Sequence, residues 1–500
     1  MTASPASTAP RLPATGKTAA PASNPAGARR WFALGVLALA QFLVVLDASI
    51  VNIALPVLGA ELGMDTVALA WVITAYVLAF GGLLLLGGRL GDRWGHRRVF
   101  LVGTAGFVAA SALAGFSFTD GMLLTARALQ GASAALLAPA ALALLMRLFV
   151  DPADRSKALG VWGGVAGIGS AVGVLLGGVL TATLGWQSVF FINVPVGAVV
   201  LVAVPLLIVR DAPAERRRLD VPGAATITGA LLAAVGALSA IEQVGVFHVI
   251  TVGLAIAAAV LGVAFVLIER RAVEPLIPLT VFRNRSLTVG NVVMLLIGAA
   301  MVSLFFALSV FMQAVLGYDA LTAGLTQLPL AGALVVAAGI VPAVVARFRL
   351  PATLIGSLAI LAAGLVWLSF APADAGFVTD ILGPSILIGV GMGGAFVTAT
   401  QLAVDGVEDG ESGLAGGLVN TSQQIGGALG LAVLGTLAAL RTEAVLESGA
   451  GASEALTSGF SWLFLGAAGI AAVAAVVSGL ALSRGSRSPH AESATSSPRA

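Results

Sequence analysis

The chain has no cysteine, three histidines and two tyrosines, and only 10% of its 500 residues are charged. Without cysteine there is no disulfide framework, no thiol nucleophile and no cysteine-ligated metal. His96, His248 and His490 are scattered, so no metal site is expected. Soluble domains carry about 25% charged residues, and a water-soluble chain is excluded on that ground. Lysine is confined to Lys17 and Lys157. The segment TGKT at 15–18 has Arg11 where a phosphate loop needs its first glycine. The run GVAGIGSAVG lies in an apolar stretch without the strand and downstream acid of a dinucleotide site. Neither ATP nor nucleic acid is expected as a partner, no cofactor beyond a coupling ion is implied, and no constellation for covalent chemistry is evident.

What the chain does have is hydrophobicity, 58% of its residues. Runs long enough to cross a hydrocarbon core of about 30 Å fall near 31–55, 66–88, 98–119, 121–146, 158–184, 189–209, 222–242, 247–268, 287–311, 322–346, 352–370, 377–402, 414–440 and 458–482. The expectation is an all-α polytopic membrane protein with about fourteen spans. The first run is too long for a signal-peptide core and reads as an uncleaved span. With the N-terminus inside, 24 of the 26 basic residues fall on the cytoplasmic side, Arg127 and Arg441 being the exceptions. The outer loops hold Glu61, Asp65, Asp120, Asp319 and Asp374. Both termini are therefore expected in the cytoplasm, with the chain in the cell membrane.

The longest inner segments flank the seventh and eighth spans, which suggests a 6 + 2 + 6 layout. Its expected parts are a disordered tail at 1–30, a six-helix bundle at 31–210 and an inserted hairpin at 211–270. A linker at 271–286, a second six-helix bundle at 287–483 and a tail at 484–500 follow. The linker segment mixes apolar side chains with arginines, as an interfacial stretch or a plain connector would.

GGRLGDRWGHRR at 87–98 joins the second and third spans. Its pattern resembles the signature loop of the major facilitator superfamily. RALQGASAA at 127–135 and the glycine-rich fifth span resemble further motifs of that superfamily. LDASIVNIALP, GWQSVFFINVPVG at 185–197, PLIPLTVFRNRS and GLAGGLVNTSQQIGGALG are similar to its fourteen-span drug:proton antiporter branch. The resemblance implies a major facilitator fold that exports amphiphilic compounds by alternating access. It also implies a conformational lock formed by Gly88, Asp92, Arg93, Gly95, Arg97 and Arg98. Val174 stands where that branch carries a proline in the fifth span, and Gln187 where it carries an arginine. Gly169, Gly173, Gly177 and Gly178 still offer a small-residue packing face.

Asp47 lies in an otherwise uncharged apolar run. An ionisable group at bilayer depth faces the protein interior and finds a partner. Counted from the outer ends of their spans, Asp47 and Arg127 lie roughly 12 Å and 9 Å deep, which makes them candidate partners, directly or through Gln130. Two readings stand: a fixed ion pair that packs the bundle, or a pair that binds and releases the coupling proton. Asn52, Tyr76 and Gln130, with Asn291, Met294, Phe306, Met392 and Phe396 from the second bundle, are candidates for lining a cavity for amphiphilic cargo or for ordinary packing. Cargo of this kind, protons and the bilayer are the expected partners. Carriage of one metabolite, such as an amino acid, a siderophore or a self-made antibiotic, is the alternative, and a non-transporting membrane sensor a more distant one.

Overall fold

The computed structural model describes residues 27–209, 220–273, 275–277, 279–404 and 412–483. Residues 1–26 of the tail expected at 1–30, the tail expected at 484–500 and the basic segment Arg210–Arg218 lie outside the described residues.

Lipid offers no partner for backbone polar groups, so a spanning chain this apolar folds into helices. The first half comprises α1 (Gly27–Leu62), α2 (Thr66–Trp94), α3 (His96–Gly115), α4 (Asp120–Leu148) and α5 (Pro152–Leu184), then the short α6 (Ser188–Phe191) and α7 (Asn193–Leu207). The hairpin is α8 (Val221–Val244) and α9 (Val249–Arg271). A 3-10 turn at Leu279–Arg283 leads into α10 (Arg285–Val310), α11 (Ala320–Phe348), α12 (Leu350–Leu368), α13 (Leu382–Val404), α14 (Ser412–Glu447) and α15 (Ala452–Ser483). Short π-helical segments, Phe311–Val315 and Phe377–Ile381, extend α10 and precede α13. Among the described residues thirteen helical stretches have the length and apolarity to cross a bilayer. The 33-residue α5, apolar over Val172–Leu184, makes the fourteenth span.

Several expected boundaries move. Gly27–Arg30 belong to α1 rather than to a tail, Arg271 to α9, and Arg285 and Ser286 to α10. The first span continues beyond Leu55 to Leu62 with Pro56 inside the helix, because neighbouring helices accommodate proline within a membrane bundle. The sixth span is interrupted at Ile192.

The two halves pack alike. In the first, α1 packs on α5, α4 on α2 and α3, and α7 on α1 and α3. In the second, α10 packs on α14, α13 on α11 and α12, and α15 on α10 and α12. These pairings correspond span for span, as do the contacts between halves, α2 with α14 and α5 with α11. Equivalent helices even share their caps. Asp65 accepts from the Ala68 N–H at the start of α2, and Asp319 from the Thr322 N–H at the start of α11. Hydrogen bonds from Thr322 hold the Asp319 carboxyl below the usual carboxylate range. These acids stand at helix N-termini, which favour them.

The hairpin lies across one seam. On α8, Thr228 donates to the Gly82 carbonyl, Ser239 accepts from Trp71 Nε1 at 3.0 Å, and the Leu238 carbonyl accepts from Thr436 of α14. By contrast, only 6% of the most apolar window of α9 is buried, which leaves that helix to face lipid.

Small residues set how closely spans approach. A Cβ on Gly131 of α4 would overlap the Tyr76 carbonyl of α2, a backbone atom that cannot step aside. Gly131→Ala should therefore destabilise by about 1–3 kcal/mol. Gly435→Ala, with nothing within 4 Å of the added carbon, should be neutral or stabilising by up to about 1 kcal/mol. Thermal unfolding of the purified variants in detergent checks both.

Candidate functional site

Asp47 is completely buried on α1, and its carboxylate is satisfied by three donors from two other spans. Arg127 Nη1 of α4 donates to Oδ2 at 2.6 Å. Gln130 Nε2, one turn along α4, donates to Oδ1 at 2.7 Å, and Asn193 Nδ2 of α7 donates to the same oxygen at 2.8 Å. Gln130 Oε1 accepts from Arg127 Nη1 at 2.7 Å, so Gln130 bridges the ion pair as well as touching both members. Ser111 Oγ of α3 accepts from Gln130 and Asn193 and donates to the Phe190 carbonyl. Arg127 Nε donates to the Val72 carbonyl of α2, and its guanidinium lies 4.3 Å from the Tyr76 ring centre. Among the described residues, all spans of the first half except α5 contribute.

Local structure explains the placement. Arg127 and Gln130 are three residues apart and project from one face of α4. The break at Ile192 makes Asn193 the first residue of α7. A carboxylate with a guanidinium and two amide donors is the arrangement that lets a charge persist in a dry interior. Two polar atoms beside the network have no partner, Asn193 Oδ1 and the Tyr76 hydroxyl.

The helix-end estimate of depth needs correction. Asp47 is fifteen residues from the true end of α1 at Leu62, roughly 22 Å, against roughly 10 Å for Arg127 from the start of α4. The side chains meet because α1 carries extra turns beyond Pro56.

The other candidate residues scatter. Asn52 Nδ2 donates to the Ala48 carbonyl of its own helix. Asn291 donates to the Leu287 carbonyl and accepts from Ser422 of α14. Met294 and Phe396 pack in one apolar cluster with Leu354, Leu358 and Ala395. Met392 is buried in the main core with Leu361 and Ile388. These three are packing residues in this conformation rather than a cavity wall. Phe306 borders a small cavity of about 30 Å³, alongside Trp71, Thr74, Ser239 and Thr436. That space suits a water or two and not a drug.

In the loop at 87–98, Asp92 is exposed and pairs with His96 at 3.5 Å, within its own half. Arg97 donates to the Pro205 carbonyl of α7, while Arg93 and Arg98 are exposed. Gly95 has φ +90°, which demands glycine at the turn between α2 and α3. Gly88, named with the lock, is not where the backbones come closest; that approach falls one residue earlier. A Cβ on Gly87 would overlap the Ala135 carbonyl, whereas Gly88 has room. Of the fifth-span glycines, Gly169, Gly173 and Gly177 face α1, and Gly178 abuts Ala320 and Leu321 of α11.

Sequence reasoning missed Asn193 and Ser111. Asn193 lies in GWQSVFFINVPVG, so the motif was visible and the contact was not. Ser111, in an ordinary apolar run, carried no signal.

Two matched halves of six spans, with a satisfied charge buried in one of them, define a helical secondary-transporter architecture. The family model of the Major Facilitator Superfamily matches residues 37–431, and the chain belongs to that family. A puromycin resistance protein of Streptomyces alboniger is 42% identical, with 84% of each chain covered. A cephamycin export protein of Amycolatopsis lactamdurans is 41% identical over 81% of this chain and 84% of that one. A lincomycin resistance protein of Streptomyces lincolnensis is 35% identical over 81% and 83%. Among solved structures, an auto-inhibited peptide transporter of the POT family superposes with a TM-score of 0.68 at 16% identity. It covers 91% of this chain and 97% of that one, a likeness of fold alone.

Removing Arg127 strands a buried carboxylate, so Arg127→Met should cost about 3–5 kcal/mol. Asp47→Asn combined with Arg127→Met should recover much of that loss, because no charge remains unpaired. Melting temperatures of the three proteins in detergent test the coupling.

Proposed function

We propose that the chain exports small amphiphilic compounds, drugs or antibiotics, from the cytoplasm across the cell membrane in exchange for protons. The observation that carries this reading is the Asp47 carboxylate, wholly buried in a membrane-spanning half and held by Arg127, Gln130 and Asn193. The names of the relatives, resistance and export proteins for puromycin, cephamycin and lincomycin, support the cargo class.

A proton on Asp47 removes the charge that holds Arg127, leaving a guanidinium with one partner fewer and a neutral acid. The network then relaxes, and the preference between inward and outward conformations changes with it. Cationic cargo competes with the proton for the same carboxylate, which makes the movement an exchange. Each proton entering along the field contributes about 2.3 kcal/mol per 100 mV. The loop containing Asp92, Arg93, Arg97 and Arg98 serves as the cytoplasmic latch; in this conformation Asp92 pairs with His96, Arg97 donates to the Pro205 carbonyl, and Arg89 of the same loop donates to the Pro275 carbonyl beyond the first half. Gradient energy takes the place of ATP. Relatives named for single antibiotics favour a second reading, in which the cargo range is narrow and one self-made antibiotic is its main member.

Inverted vesicles with a pH-gradient dye supply the test. Adding puromycin, lincomycin or a lipophilic cation to wild-type vesicles should release protons, and Asp47→Asn should abolish that release. Full activity in Asp47→Asn that inserts normally would sink the coupling role and leave a fixed structural pair. Orientation has its own check. Since the chain is free of cysteine, Ser453→Cys should react with an impermeant maleimide in intact cells while Thr280→Cys does not.

A further inference from the structure

Gln327 of α11 is 1% exposed, and neither its amide nitrogen nor its amide oxygen has a hydrogen-bond partner. An unpaired amide in a dry interior is costly, and membrane spans normally avoid one. On α13, Ser385 Oγ is also buried without a partner. One turn further along, a Cβ on Gly389 would meet the Leu330 carbonyl of α11, so Ser385 comes level with the turn of α11 that carries Gln327. The neighbouring Thr326 hydroxyl is, by contrast, fully engaged with the Thr322 and Ala323 carbonyls and Met312 Sδ.

The direction of Gln327 follows from its helix. Ala320, Gly324, Gln327 and Ala331 share one stripe of α11. A Cβ on Gly324 would lie 2.7 Å from the Val174 carbonyl of α5, and one on Gly178 of α5 would lie 2.8 Å from the Ala320 carbonyl. That stripe is therefore the contact between the two halves, and Gln327 sits on it roughly 10 Å inward from the outer end of α11. Nearby, the halves are also joined by Ser309 Oγ, which donates to the Asn52 carbonyl at 2.5 Å, and by Gln313 Nε2, which donates to the Ile53 carbonyl at 3.0 Å. Parting of the halves at this seam uncovers the amide.

We infer that Gln327, with Ser385 level with it on α13, is a hydrogen-bonding subsite for cargo, and that it takes the neutral carboxamide group of an amphiphilic molecule. Two N–H donors and one carbonyl acceptor on Gln327 mirror the acceptor and donor of a carboxamide, and the Ser385 hydroxyl supplies either role. The division of labour is simple: the first half answers charge through Asp47, and the second answers neutral polarity through Gln327. This inference rests on the export reading and adds the chemical class of cargo to it.

Equilibrium binding to the full chain in lipid nanodiscs tests it with two radiolabelled probes. Puromycin carries an amide, and tetraphenylphosphonium has no hydrogen-bonding group. Gln327→Leu conserves volume and removes only the amide. Puromycin affinity should fall about tenfold, tetraphenylphosphonium affinity should hold, and the variant should melt no lower than wild type because an unpaired polar group is gone. Gln327→Asn, which keeps the amide, should retain part of the puromycin affinity. Equal losses for both probes, unchanged puromycin binding, a lowered melting temperature or wild type that binds neither probe would each overturn the subsite. Proton release measured on the same preparations separates the two claims. Wild type that shows the expected binding pattern yet releases no protons defeats antiport and leaves the subsite standing.

Discussion

An ionised carboxylate cannot exist at bilayer depth unless protein groups replace the water it would have had. The first half of the molecule is arranged around that constraint. Asp47 draws in a guanidinium and an amide from α4 and a second amide from α7. Ser111 then ties both amides to α3 and to the Phe190 carbonyl. Arg127 reaches the backbone of α2 as well. One charge thus sets the rotation and depth of five spans relative to one another, and the interruption at Ile192 is what lets Asn193 reach it.

Close approach of backbones makes those contacts possible. Without a hydrophobic driving force between helices in lipid, packing depends on surfaces that fit. Gly131 lets α4 press on α2 beside the network, and Gly173 and Gly177 let α5 press on α1. The same economy appears at the seams, where Gly178 and Gly324 bring α5 against α11. The opposite seam, α2 against α14, is covered by α8, hydrogen-bonded to both sides. The two seams are related by the internal repeat but differ in what covers them. A transporter that parts its halves must break contacts at both, and the hairpin ties only one.

The number of spans was legible because hydropathy acts residue by residue, and lipid leaves a spanning chain of this kind no choice but helix. Asp47 and Arg127 were legible because charges are rare in such runs, and Gln130 because it shares a helix face with Arg127. The cap at Asp319, the close approach at Gly87 rather than Gly88 and the passage of α1 through Pro56 were less so. Each depends on a neighbour that is distant in sequence. Met294, Met392 and Phe396 illustrate the converse. A large apolar side chain in a span suits a cavity wall and a core equally, and here the contacts made by neighbouring helices put all three in the core.

Composition and pattern by themselves determined the class of protein, the helical fold, its fourteen spans and the presence of a buried acid in need of a cation. Those properties are sums of local transfer free energies and of charge, and they survive without knowledge of neighbours. The tertiary structure alone decided that Asn193 reaches the acid across 146 residues of chain and that Ser111 holds Asn193 across 82. It also decided that Gln327 stands at the contact between halves with its amide unpaired. Neutral amides and hydroxyls occur throughout membrane spans. What singles one out is the relative rotation and depth of helices, which no local window of sequence contains.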